Sequence, residues 1–487
     1  MTAEMALALL LAAPLAHALA VILLSRPPGL RDVVHIGAAL GIAGLAAFVL
    51  NEAAQGARAR IVLAHPLPNV DLGFAIEPLG ALAACVFAGL GLLHAVHTSG
   101  VVRATQEKAP ARLMACIALT LAAAMAAAFS VNLFSLFIAY QALILAAFPL
   151  IAHRGDEEAR TAGRTFLATL LATSICLVLP AMIWVYALAG AQDFRPGGIL
   201  ADRVDPISAN VLLALFVFGL AMAAIPPVHR WLPGSSGAPY PALISIQALA
   251  VLPVGGLALL KVLAYVFGPV LQSATPTSTL LLGLAGVGMC AAALIALSRQ
   301  DLRERLAYSC MAQALAVVIG GLLALPAGLF AATLQIVATA CAAATLLMAV
   351  GTVAAVTGRT SVADYAGLGR VMPWTFAAFA LASASMIGMP PFAGAWSRLW
   401  LITASTSAGL VWAGALVGVA AVLTFAHLGP LAANAFAGRA PSDAFKRPDG
   451  ASILLVAPVI LSAAATLWLL VLADPLASFL SPVWTPQ

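Results

Sequence analysis

Residues 132–153 read NLFSLFIAYQALILAAFPLIAH, an apolar run interrupted by a single amide, Gln141. As a helix rising about 1.5 Å per residue it covers about 33 Å, enough to cross a bilayer core of about 30 Å. A polar side chain at that depth is costly in hydrocarbon and raises a functional hypothesis. Gln141 cannot ionise. It is either part of an ion path or a residue that hydrogen-bonds a neighbouring helix.

The remainder of the chain matches this stretch. Of its 487 residues, 63% are hydrophobic and 8% charged, with a mean hydropathy of +1.06. A soluble chain could not bury that much apolar surface. The expected fold is all-α, a polytopic transmembrane bundle of about 14 helices in a lipid bilayer. The net charge of +5 is scattered through short loops, which gives no basis for a nucleic-acid partner. The cysteines at 85, 116, 176, 290, 310 and 341 lie in or beside apolar runs without paired spacing, so neither a disulfide nor a metal site is expected. There is no Gly-rich phosphate loop and no identifiable catalytic residue, so no cofactor is expected on this chain. The run 6–24 is preceded by Glu4 and by no basic residue, and reads as a retained first span rather than a signal peptide.

Fourteen apolar runs extend from 4–24 to 451–473. The twelfth, 372–406, is too long for one ordinary helix and carries Pro390-Pro391 and Gly394, which predicts one helix broken in the middle. With that reading the loops alternate so that 17 basic residues fall on one side. Only four, Arg58, Arg60, Arg195 and Arg203, fall on the other. Splitting the run into two spans would move Arg439, Lys446 and Arg447 to the depleted side, so the positive-inside rule favours the broken helix and places both termini outside. Ile225-Pro226-Pro227 in the seventh span resembles Met389-Pro390-Pro391 in the twelfth. An offset of five spans inverts the second copy, which predicts two inverted five-helix repeats broken near 222–235 and 389–396. The chain then divides into a three-helix segment at 1–110, repeats at 111–267 and 278–436, and a last loop and helix at 437–487.

Four motifs carry a family resemblance. NLFSLFIAYQALILAAFPLIAHRG, PPVHRWLPGSSGAPYPALIS, LRERLAYSCMAQ and MIGMPPFAGAWSRLWL are similar, in register from about residue 77 to 431, to the proton-translocating antiporter-like membrane subunits. That family is shared by respiratory complex I, membrane-bound hydrogenases and Mrp cation/proton antiporters. RTAGRTFLATLLATS and the IWVYALAGAQDF stretch resemble most the branch that holds the Mrp D-type antiporter proteins and hydrogenase-4. The resemblance implies partners, namely other membrane subunits of an Mrp, hydrogenase or complex-I-like assembly. It also implies a bacterial-type plasma membrane location.

The family moves protons along ionisable residues at mid-membrane depth, each biased by a neighbouring charge. Carried over residue by residue, its fifth-helix glutamate falls on Gln141 and its seventh-helix lysine on Met222. The eighth-helix histidine and lysine fall on Gln247 and Pro253. The two histidines and lysine of the eleventh fall on Gln335, Thr339 and Ala343. Only the basic position of the twelfth keeps a charge, as Arg398, which effectively never releases its proton. The resemblance therefore implies a copy with its proton wire dismantled and its scaffold retained.

Other intramembrane candidates have plainer readings beside the functional one. Lys261 lies near a span end, where its long side chain is expected to snorkel to the interface. His427 is a packing residue or a titrating one. His229, Trp231 and Pro233 belong to the loop motif and are expected to position the broken helix. His94 and His97 read as interfacial, and Asp301, Arg303, Glu304 and Arg305 as a solvated loop cluster. Three functions stay open: a structural or coupling subunit of an ion-translocating complex, a subunit that still conducts a proton or cation, and an independent transporter of a small solute.

Overall fold

The computed structural model describes residues 1–437 and 452–484. Helices dominate. In chain order they are α1 (Ala3–Leu23), α2 (Pro28–Ala54), α3 (Pro78–Thr105), α4 (Pro110–Phe129), α5 (Leu133–Ile151), α6 (Glu157–Ala189), α7 (Pro206–Gly219), α8 (Tyr240–Ser273) and α9 (Pro276–Ser298). They continue with α10 (Leu302–Leu322), α11 (Pro326–Thr357), α12 (Pro373–Ile387), α13 (Ala393–Ser407), α14 (Val411–Phe436), α15 (Ile453–Val471) and α16 (Ala473–Trp484). Many starts are written locally. Pro28, Pro78, Pro110, Pro206, Pro276, Pro326 and Pro373 each open a helix, where a missing N–H costs nothing. Asn132, Asp156, Asp205 and Asp301 cap free backbone N–H groups with their side chains.

Among the described residues, 11 helices are long and apolar enough to cross a membrane, or up to 12 if one bent pair is a single span. Three expected spans fall outside that set. The seventh is only the 14-residue α7, the twelfth is divided into α12 and α13, and the last is α15. Both expected breaks are present: helix stops at Gly219 before the 220–239 segment and at Ile387 before Ala393. Arg439, Lys446 and Arg447 lie outside the described residues. Neighbouring loops bond one another in two groups. Val131 N–H bonds Gly73 O, and Phe194 N–H bonds Val131 O, while Leu302 N–H bonds Thr360 O and Val362 N–H bonds Gln300 O.

One continuous apolar core runs from Ala6 to Trp484. Helices α8, α10 and α11 are almost wholly enclosed, whereas α2 and α6 show most of their apolar residues outward, as expected where lipid or another subunit is the solvent. Two features were not expected from sequence. An antiparallel hairpin, β1 (Arg60–Leu67) and β2 (Val70–Ala75), fills the loop after α2, and α16 follows the last span.

Three helical stretches are locally wound into π turns. These are Ser174–Val178 in α6, and Ser245–Leu249 and Val262–Phe267 in α8. Each precedes a proline, Pro180, Pro253 or Pro269, whose missing N–H frees a carbonyl one turn earlier. For Pro269 that carbonyl is Tyr265 O, and it accepts from Ile199 N–H at 3.0 Å.

Candidate functional site: three buried polar clusters

The first cluster surrounds Gln141. Asn132 caps α5 by accepting from Ser135 N–H at 2.8 Å, and its own amide donates to Asp71 O at 2.7 Å. That fixes the helix against the hairpin and sets its rotation. Gln141 is half-buried and exchanges bonds with the Ser174 hydroxyl, at 2.9 Å from Nε2 and 3.2 Å to Oε1. Its partner is thus the first residue of the α6 π turn. The preceding Tyr140, wholly enclosed, accepts Met222 N–H at 2.9 Å, and Trp231 Nε1 donates to Ala221 O at 2.8 Å. Between them they satisfy the unwound backbone after α7. Met222 itself is buried and contributes no polar side chain. Gly255 of α8 packs on the Met222 and Ala223 backbone so closely that a Cβ would collide with it. His229 and Pro233 are half-buried beside this segment. On the same end an open cleft of about 870 Å³, lined by Glu157, Glu158, Thr161, Thr165, Thr169 and Arg230, runs along α6.

The second cluster joins α8, α10, α11 and α13. Gln335 Nε2 donates to Gln313 Oε1 at 2.9 Å and to Thr339 Oγ1 at 3.0 Å. Its Oε1 accepts from Ser397 Oγ at 2.6 Å. Arg398 NH2 donates to the same Gln313 Oε1 at 3.1 Å and to Met386 O at 2.9 Å. No carboxylate pairs with Arg398 among the described residues; carbonyl and amide oxygens accept from its two terminal nitrogens, while its Nε is buried without a partner. The break makes this possible, because Met386 O belongs to the last turn of α12. Gly388 stands at φ +89° where a Cβ would strike the arginine side chain, so only glycine lets the chain turn around it. Gln247, in the middle of the α8 π turn, is fully buried with neither amide atom hydrogen-bonded. It lines a cavity of about 20 Å³ with Pro253, Gln313 and Thr339. Ala343 is buried in α11.

The third cluster was not foreseen and overturns one expectation. Lys261 does not snorkel. It is fully buried, its Nζ 2.6 Å from Glu77 Oε1, and it donates to Ala128 O at 2.6 Å and Ser130 O at 3.1 Å. Tyr265 OH donates to Glu77 Oε2 at 2.7 Å, and the Phe194 ring lies 5.6 Å from Nζ. Glu77 stands at the N-terminus of α3, and the Ala128 and Ser130 carbonyls close the C-terminus of α4. Helix dipoles favour an anion at the first and a cation at the second, so a pair that burial alone would penalise is held by four favourable partners. A vestibule of about 260 Å³ lined by Arg58, Arg60, Asp193 and Tyr265 opens onto Glu77. At its rim Asp71, hydrogen-bonded by His65 at 2.7 Å and Arg60 at 2.7 Å, is held below the usual carboxylate range by those bonds.

Two further expectations are corrected by packing. Arg305 is not solvated; it is buried and donates to the carbonyls of Leu297, Arg299 and His427, closing the end of α9. His94 and His97 are fully buried rather than interfacial. His427 is buried with Nδ1 3.2 Å from Thr424 O, a local contact within α14.

Comparison with known proteins agrees with the motifs. The family described as NADH:quinone oxidoreductase/Mrp antiporter, transmembrane, matches residues 130–424. The N-type membrane component of the NADH-quinone oxidoreductase of Desulforudis audaxviator is 28% identical over 446 residues, 90% of this chain and 87% of that protein. The D-type component of the Na(+)/H(+) antiporter of Alkalihalophilus pseudofirmus is 24% identical over 276 residues, 56% of this chain and 55% of that protein. Among solved structures, a chain of the Mrp complex from Dietzia superposes with TM-score 0.86 at 22% identity, covering 100% of this chain and 98% of that one. A chain of respiratory complex I from Thermus thermophilus gives 0.85 at 19% identity, covering 98% of each. Both are fold neighbours from multisubunit membrane assemblies. This chain belongs to the NADH:quinone oxidoreductase/Mrp antiporter transmembrane family.

Proposed function

We propose that this chain is a structural or coupling subunit of a multisubunit, ion-translocating membrane assembly of the complex I or Mrp type. In that role it spans the membrane 14 times with both termini on the non-cytoplasmic side. One observation carries the reading. The polar residues at the family-equivalent positions are Gln141, Gln247, Gln335 and Thr339, joined by Gln313 of α10, and none of them exchanges a proton near neutral pH. Their single charge, Arg398, is tied to amide and carbonyl oxygens. Such residues can couple helices through hydrogen bonds but cannot carry charge through protonation.

A second reading, that the chain still conducts a proton or cation, is supported by the Glu77–Lys261 pair and the vestibule beside it. Purified protein in liposomes with an internal pH-sensitive dye separates the two. The coupling reading expects no proton flux above protein-free vesicles; flux that disappears in Arg398→Ala would overturn it. Gln141→Glu in the assembled complex reports on the passage itself. Proton leakage would mean that the path survives and lacks only its titratable group.

A further inference from the structure

The first three helices hold buried histidines that the family-equivalent row does not include. His17 of α1 and His35 of α2 share a hydrogen bond, Nε2 to Nδ1, of 2.8 Å. Both are buried, as are His94 and His97 of α3. At about 1.5 Å per residue from the helix ends, His17 and His35 sit about 10 Å, and His94 about 16 Å, below the basic face. A cavity of about 20 Å³ touches His17, His35, His94, Thr120 and Ser245. His17 Nδ1, His35 Nε2, both ring nitrogens of His94 and Ser245 Oγ are buried without a hydrogen bond. Space for about one water with several unpaired polar neighbours is what a buried water requires.

Two imidazoles joined by one N–H···N bond are always left with a donor to satisfy. If His17 Nε2–H donates, His35 carries its other proton on Nε2; in the opposite arrangement His17 carries it on Nδ1. Either outer N–H lies in a protein interior where an unmet donor is costly, and the cavity is the polar space beside it. A proton added to one outer nitrogen can therefore be passed on. The shared proton shifts across the N–H···N bond, and a proton leaves from the outer nitrogen of the second ring. Charge and atoms balance, and the pair is left in its other tautomer.

Asp32 lies one turn before His35 on α2 and is held by Arg31 at 2.8 Å and by the half-exposed Arg103 of α3 at 2.6 Å. Arg31, His17 and His94 are the charged or titratable groups around His35, and each as a cation would repel a proton added there. His97 bonds Thr352 of α11 at 3.0 Å, and α4 and α8 offer the neutral Thr120 and Ser245. On the far side, Ser245 and Gln247 belong to one π turn. The first faces the histidine cavity and the second the Gln313–Thr339 cavity.

We propose that His17, His35 and His94, with a water between them, form a proton-holding site in the amino-terminal helices, joined through the Ser245–Gln247 π turn to the polar row that ends at Arg398. The site goes beyond the coupling role proposed above and does not depend on it. The test is 15N NMR of histidine-labelled protein, in its native assembly and in lipid bilayers, with resonances assigned by their loss in His17→Gln and His94→Gln. Expected are ring nitrogens of His17 and His35 averaged between protonated and bare, with magnetisation transfer from water. Each ring locked in one tautomer, with no transfer from water, would mean that these histidines only pack and would overturn the site. The His17–His35 N–H···N bond marks the pair by its own nitrogen–nitrogen coupling in the wild-type spectrum, so a variant that fails to fold does not protect the idea. Because the readout is not proton flux, the liposome experiment can fail independently.

Discussion

At the scale of single residues, the Glu77–Lys261 pair makes the sharpest claim. Lys261 is fully buried, Glu77 is partly buried at the vestibule, and each has the other as its ionic partner. Glu77→Gln strands a buried base against two carbonyls and is expected to cost about 3–5 kcal/mol. Lys261→Met strands an acid at the head of α3 that the vestibule can hydrate, and is expected to cost less. The double variant should cost well under the sum, because no charge is then left unpaired. Thermal unfolding of the purified protein reads this cycle; additive single effects would show that the two charges do not interact. Asp71 yields a prediction of opposite character, set by pH. Its folded value lies below that of a free carboxylate, so the clamp on His65 and Arg60 is complete above the ordinary Asp range of about 4. The clamp is lost as pH falls through the lower folded value. Protection of amides in 60–75, taken relative to their intrinsic exchange rate at each pH, should therefore fall on acidification in the wild type and lose that dependence in Asp71→Asn.

At the scale of elements, the unwound backbone after α7 and the π turns do the positioning, and they differ in how readable they are. The break between Ile387 and Ala393 was legible because Pro390-Pro391 cannot continue a helix; the turn at Gly388 was not. Gln141 and Arg398 could be placed because motifs fix their positions along each helix, whereas Gln335 lies in no motif and follows from the register of the resemblance alone. The π turns were not legible, since their residues have the same apolar pattern as α-helix and only the geometry around Pro180, Pro253 and Pro269 reveals them. Nor was the Lys261 partner, which lies at the start of a helix five elements earlier in the chain. The hairpin at 60–75 escaped because strands this short, one holding Pro66, leave little alternation to read. The elements make their own prediction. Tyr140 supplies the acceptor for Met222 N–H, so Tyr140→Phe should leave that buried donor unmet at a cost of about 1–3 kcal/mol. Faster hydrogen exchange confined to 220–226 would locate the loss there. An unchanged exchange pattern would mean that another acceptor takes over.

At the scale of the whole molecule, charge and fold describe the same two faces. The loop 190–205 closes against the hairpin and the start of α5, whereas the loop after α9 pairs with the one after α11. The first group contains Arg58, Arg60, Arg195 and Arg203, the basic residues of the depleted side; the second lies on the side that holds most of the rest. If each broken helix counts as one crossing, this arrangement assigns the depleted group to the non-cytoplasmic face by the positive-inside rule. It likewise assigns the α6 cleft, with Glu157 and Arg230 at its mouth, to the cytoplasmic face. Accessibility distinguishes this topology from its inverse. In a background with the six native cysteines replaced, Asp202→Cys should react with a membrane-impermeant maleimide added to intact cells. Glu157→Cys should react only after permeabilisation. Reaction of Glu157→Cys in intact cells, with Asp202→Cys protected, would invert the molecule. The histidine site would then face the opposite compartment, and protons would enter it from outside.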